Sequence, residues 1–133
     1  MNIAAADALM GIFGLKRAPQ IALTLPWPPS VNHYWGQRGN RKYITKRGLA
    51  FRESVAEAVA SSGAHAGAGR LAVFVSLFQP TRRKCDIDNY MKALLDALQE
   101  AGLYENDEQI DRLEIVRMPP TRGGKCCVVV TQA

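Results

Sequence analysis

Eight consecutive residues, Leu71 to Phe78 (LAVFVSLF), carry one hydroxyl and no charge. A strand presents alternate side chains on its two faces, so a run that is apolar at both parities has to be covered on both sides. Such a strand belongs inside a sheet, with layers packed against it. The 133 residues, 47% of them hydrophobic, suffice to build that arrangement as one domain with a real core.

The flanking segments supply the other layers. Ile21, Leu23 and Leu25 alternate with Ala22 and Thr24, the period of a strand, and Pro26-Trp27-Pro28-Pro29 stops it. Residues 30–39 form a loop rich in aromatic surface, and Lys42-Tyr43-Ile44 is a short strand. Thr45 is placed to cap a helix running to about Ser61, with Phe51, Val55, Ala58 and Val59 on one face. Residues 61–69 are a small-residue linker. A second helix starts near Asp88 or Asn89 as its cap, turns Met91, Leu94, Leu95, Leu98 and Ala101 inward, and ends at Gly102. Strands at about Arg112 to Met118 and Lys125 to Thr131 follow, with Pro119 to Gly124 as their hairpin loop. The order β-β-α-β-α-β-β predicts an α+β fold with a single mixed sheet and two α-helices.

Residues 1–19 hold an apolar stretch too short to span a bilayer, and its cations follow that stretch instead of preceding it. Neither export nor membrane insertion is expected. The segment is read as an N-terminal extension of unknown role, ending near Pro19, ahead of a domain over residues 20–133. Cys85, Cys126 and Cys127 form no C-x-x-C pair, which suits reduced thiols and a cytoplasmic location.

Charge is unevenly placed. Between Gly36 and Gly48 lie five cations (Arg38, Arg41, Lys42, Lys46, Arg47) and no acid, which equals the whole net excess of +5. Between Asp96 and Glu114, seven acids face only Arg112. A polyanion would dock on the basic part and a divalent cation on the acidic part, although basic loops are often merely solvated.

Asp86 and Asp88 are two apart, so an extended backbone points both carboxylates the same way. Two neighbouring carboxylates repel unless a cation lies between them, and Mg²⁺ takes hard oxygen ligands of this kind. Lys92 follows Asp88 by one helical turn and can hold a phosphate beside them. The plain structural alternative is that Asp88 caps the helix, Lys92 pairs with it, and Asp86 is a solvated turn residue. The basic run Arg82-Arg83-Lys84 just before the pair, and the acidic turn Glu105-Asn106-Asp107-Glu108 after the helix, favour the chemical reading. Tyr34 and Trp35 offer rings for stacking on unpaired bases, though aromatics beside a Pro-rich turn more often pack inside.

T-L-P-W-P-P-S-x-N at Thr24 to Asn32, D-I-D-N at Asp86 to Asn89 behind its basic run, K-A-L-L-D-A-L at Lys92 to Leu98, N-D-E-Q-I at Asn106 to Ile110 and M-P-P-T-R-G-G at Met118 to Gly124 occur in a consistent order. Together, over roughly residues 20–131, they resemble the RusA family of Holliday junction resolvases. The resemblance implies a RusA-like fold and a homodimeric, Mg²⁺-dependent endonuclease, with Mn²⁺ as an alternative ion, often carried by prophages, that nicks opposing strands of a four-way DNA junction in recombination and repair. It places the metal-binding aspartates on Asp86, Asp88 and Asp107 and the catalytic lysine on Lys92. Cys85 departs from the pattern, since a basic residue commonly precedes the first aspartate. Phosphate contacts are expected from Arg38, Arg41, Lys42, Lys46, Arg47, Arg82, Arg83, Arg122 and Lys125. A non-catalytic DNA-binding protein, and a Mg²⁺ nuclease acting on forks or flaps, are the competing readings.

Overall fold

The computed structural model describes residues 11–13 and 20–133. Most of the expected N-terminal extension therefore lies outside the described residues. Strand β1 (Ile21–Pro26) leads to a single helical turn, α1 (Val31–Tyr34), then to β2 (Trp35–Arg38) and β3 (Arg41–Ile44). Helix α2 (Lys46–Ser62) precedes β4 (Leu71–Phe78); a 3-10 turn at Ile87–Tyr90 opens α3 (Met91–Glu100), and a second at Asp107–Gln109 opens β5 (Ile110–Met118), before β6 (Lys125–Gln132).

The fold is α+β with a mixed sheet, as the pattern implied. Its order is β1-β6-β4-β5, with β4 parallel to β5 and antiparallel to β6. Two details differ from the sequence reading. The short strand at Lys42–Ile44 does not join the main sheet; it pairs with Trp35–Arg38 in a separate two-stranded hairpin turned at Gly39-Asn40. Gly39 has φ +62°, the left-handed value that such a tight turn requires. Nor do β5 and β6 form a hairpin, because β4 lies between them. The 119–124 segment instead bridges the end of β4, where the Thr121 amide donates to the Gln79 carbonyl at 2.9 Å.

Both helices pack on one sheet face. Leu71, Val73, Val75 and Leu77 of β4 meet Phe51, Val55 and Val59 of α2 and Met91, Leu94, Ala97 and Leu98 of α3 in the main core. The opposite parity, Ala72 and Phe74, forms a smaller cluster with Cys127 and Val129, and Phe13 packs on Phe74 with ring centroids 5.0 Å apart. Burial on both faces of β4 is thus met by two unequal layers. Thr45 caps α2 by accepting from the Gly48 amide at 3.0 Å, and Gly102, at φ +81°, follows the end of α3.

A polar network ties the helices across the core edge. The buried Tyr34 hydroxyl donates to the Asp96 carboxylate and accepts from Arg52 Nε at 2.8 Å, while Arg52 Nη2 reaches Asp96 at 2.9 Å. Burial, reinforced by Asp96, pushes the Tyr34 hydroxyl from its ordinary 10.0 up to about 12. A raised folded value means a contribution complete below pH 10 and lost as pH climbs from 10 to about 12, because the unfolded chain releases its proton first. Tyr34→Phe is expected to remove this part of the alkaline loss of stability and to lower stability at neutral pH by about 1 kcal/mol. Urea melts between pH 7 and 11 check both; a parallel alkaline decline in the two proteins would rule out Tyr34 as a source.

Candidate active site

The parallel pair β4 and β5, joined through α3, sends the 79–90 and 119–124 segments out at the same end of the sheet, where Phe78 lies opposite Met118. Here Gln79, Arg82, Arg83, Asp86, Arg117 and Pro120 surround a cavity of about 560 Å³. Its shape depends on one arginine. Arg117, the penultimate residue of β5, donates to Gln79 Oε1 at 2.9 Å, to the Cys85 carbonyl at 2.8 Å and to Cys85 Sγ at 3.4 Å. Gln79 in turn donates from Nε2 to the Arg83 carbonyl. The stretch leading into Asp86 is therefore held to the sheet through its backbone. Tyr90 adds to the anchorage: its ring tilts on Trp27 at 4.7 Å, and burial, then its hydrogen bond with Cys85, raises its hydroxyl above the usual range.

Extended backbone ends at Asp86 (φ −89°, ψ 127°), and a 3-10 turn begins at Ile87. Two carboxylates on one side of an extended strand would need extension through Asp88, which the turn at Ile87 breaks. Ile87 between them packs on the main core, and Asp86 and Asp88 flank this anchor as exposed residues. Neither Asp88 nor Asn89 caps α3; the interposed turn makes Tyr90 the cap residue, with no side-chain bond. Asp86 likewise makes no capping bond at the 3-10 turn. Lys92 is exposed in the first turn of α3 and forms no ion pair with Asp88 among the described residues. The structural roles that would make these three side chains ordinary, a cap and an i,i+4 pair, are thus unfilled.

Asp107 is positioned by a separate device. Asn106 caps its 3-10 turn with a full capping box, and the Asp107 amide donates to Gln99 Oε1 of α3 at 2.8 Å. Gln99 lies two turns beyond Lys92 on the same helix face, and Asp107 is at the opening end of β5, away from the Arg117 end. Among the described residues no three His, Cys, Asp or Glu side chains come close enough to hold one ion together. The structure groups Asp86, Asp88 and Lys92 about the start of α3 and leaves Asp107 farther along it.

Of the expected phosphate contacts, Arg82 and Arg83 line the cavity with Asp86, and Lys42 shares a second cavity with Lys92. Arg47 is near enough for its charge to act on Tyr90. Arg122 is exposed on the bridging segment, and Lys125 sits over the Phe78 ring at 4.7 Å. Arg38, Arg41 and Lys46 are exposed on the hairpin and at the start of α2. Tyr34 leaves the set of stacking candidates because it is fully buried; Trp35 is half-buried and stays in it. Arg117 has little signal in the sequence, although it returns to Cys85 the positive charge that the local sequence lacks there. Its only sequence signal is an arginine one residue before M-P-P.

Residues 26–131 match the family model described as Endodeoxyribonuclease RusA. The chain is 37% identical over 111 residues to a crossover junction endodeoxyribonuclease of Enterobacteria phage 82, covering 83% of this chain and 92% of the relative. It is 35% identical over 112 residues to the protein of the same name from Escherichia coli K12, and equally so to one from Shigella sonnei; in each case 84% of this chain and 93% of the relative are covered. With the motif order, the α+β fold and the exposed acids and lysine at the start of α3 all in agreement, the chain belongs to the RusA family of endodeoxyribonucleases.

Proposed function

We propose that this protein is a structure-selective endodeoxyribonuclease that resolves four-way DNA junctions by paired nicking, with Asp86, Asp88, Asp107 and Lys92 as its active groups and Mg²⁺, or Mn²⁺ in its place, as its ion. The observation that carries the reading is the uncommitted state of Asp86, Asp88 and Lys92 on a backbone that Arg117 and Gln79 hold in place. The junction as substrate comes from the relatives, which are named for crossover junctions.

The donor set fits a hard cation: each candidate ligand is a carboxylate, and no described cation pairs with any of the three. Asp86 and Asp88 would hold the ion directly, since Mg²⁺ commonly takes one or two carboxylates with waters completing its shell, and Asp107 would be the third acid. When bound, the ion supplies Lewis acidity toward a phosphate oxygen and a more acidic water. Hydrolysis adds hydroxide to phosphorus and breaks one P–O ester bond, so negative charge accumulates on the phosphoryl oxygens and the departing oxygen. Lys92 places an ammonium where that charge grows. Arg82 and Arg83, beside Asp86, and the cations of the hairpin and α2 hold the adjoining phosphates, with Arg122 and Lys125 at the sheet end.

A four-way junction has near two-fold symmetry, so a C2 homodimer would give each of two equivalent strands its own site. Residues 20–133 form the nuclease domain in this reading, with 1–19 as an extension. Among the described residues no helix is long and apolar enough to cross a membrane. The three free cysteines fit the cytoplasm, where the DNA substrate is.

Incubation of the protein with a synthetic four-way junction, a fork and a linear duplex, with Mg²⁺ and with chelator, tests the proposal. Paired, Mg²⁺-dependent nicks in the junction and little cutting of the duplex are expected. Absence of metal-dependent nicking on all three substrates would leave a DNA-binding protein, and equal cutting of fork and junction would remove the selectivity alone.

A further inference from the structure

A second cavity, of about 570 Å³, opens beside Lys92 between α3 and the hairpin, with Asn32, Trp35, Gln37, Lys42 and Lys92 among its walls and no acidic side chain. Three kinds of group meet in it. Lys42 and Lys92 present ammonium groups suited to a phosphate. Trp35 is half-buried, and the edge-on ring of Tyr34, 5.1 Å away at 82°, holds its indole in one orientation. Asn32 and Gln37 each carry an amide, a donor beside an acceptor, which matches the edge of a nucleobase, and Gln37 keeps one Nε2 hydrogen free while the other goes to the Gly39 carbonyl at 3.0 Å. On the hairpin wall the far end of the Tyr43 ring closes on Gly36: a Cβ there would fall 2.3 Å from it, so the ring covers the backbone linking Trp35 to Gln37.

We propose that this cavity receives one unstacked nucleobase of the DNA strand whose phosphate lies on Lys92. The volume is within the range that encloses small ligands, and the wall offers what a nucleotide presents: a flat π face, a hydrogen-bonding edge and an anionic phosphate. The inference rests on the nuclease reading for the identity of that phosphate. Its consequence is a source of substrate choice. Withdrawing a base from a continuous duplex costs unpairing and unstacking, whereas a base at a branch point is already partly unstacked, so the cavity favours nicking at branches.

The test scans a four-way junction in which single nucleotides around the nick are replaced in turn by an abasic analogue. The wild-type protein is expected to lose roughly ten-fold to hundred-fold in nicking at one position, the loss of one base–aromatic stack. Trp35→Ala should lose a similar factor on the intact junction and nothing further at that position. A second measurement needs no cleavage: with chelator present, 2-aminopurine placed there should change its fluorescence on binding to wild type and to Trp35→Phe, and not on binding to Trp35→Ala. If Trp35→Ala does not fold, Trp35→Phe carries the aromatic arm, and Gln37→Ala, on the exposed hairpin, should shift which base is preferred at the position. Uniform tolerance of abasic sites, or a full abasic loss retained in Trp35→Ala, overturns the proposal. A Trp35-dependent fluorescence response without nicking of any substrate would keep the base pocket and remove the nuclease reading.

Discussion

Asp88→Asn is expected to abolish junction nicking, by on the order of a hundred-fold to a thousand-fold or more, while the protein still folds and still shifts a four-way junction in a gel. The substitution is nearly isosteric and removes only charge. Asp88 is exposed, caps no helix and has no ion-pair partner among the described residues, so stability should stay within about 0.5 kcal/mol of wild type. Loss of the negative charge should tighten DNA binding at low salt. A large drop in melting temperature together with lost binding would instead assign Asp88 a structural duty.

Lys92→Ala should also lose on the order of a hundred-fold to a thousand-fold in nicking, but through a different quantity. In the proposed mechanism the carboxylates hold the ion, so the Mg²⁺ concentration giving half-maximal nicking should move little in Lys92→Ala and rise in Asp86 or Asp88 variants. Lys92 is exposed in the first turn of α3 and forms no described ion pair, so alanine, the best helix former, costs that helix nothing. Undiminished nicking by Lys92→Ala would take the lysine out of the chemistry.

Local signals carried much of the fold. The doubly apolar run marked β4, Thr45 and Gly102 marked helix ends, and the inward faces of both helices followed from spacing, because each depends on residues within one or two turns of one another. Pairing across distance was not legible. Nothing near Met118 or Lys125 says that β4 comes between them, and the 119–124 segment has the composition of a hairpin turn. The β2–β3 hairpin is faint in the sequence for a different reason: Gly39-Asn40 is a good two-residue turn, but Gln37, Arg38, Arg41 and Lys42 around it are exposed and polar and give no apolar alternation. At the proposed site, motif order points to Asp86, Asp88, Lys92 and Asp107. Their support was not legible, since Arg117 reaches Cys85 across thirty-two positions of sequence.

The register of β1 also bears on how the chain reaches this structure. Ile21 pairs with Val130 and Pro26 with Lys125, so the first strand has no partner in the main sheet until the last one is present. Closing a loop of that length is entropically costly and slow, and it cannot happen while β6 is still inside the ribosome. The β4–α3–β5 unit, which carries Asp86, Asp88 and Lys92, involves far shorter separations and can assemble earlier. The Asp86–Lys92 segment would then take shape on an incomplete sheet, and the final step of folding would be the zipping of β1 onto β6.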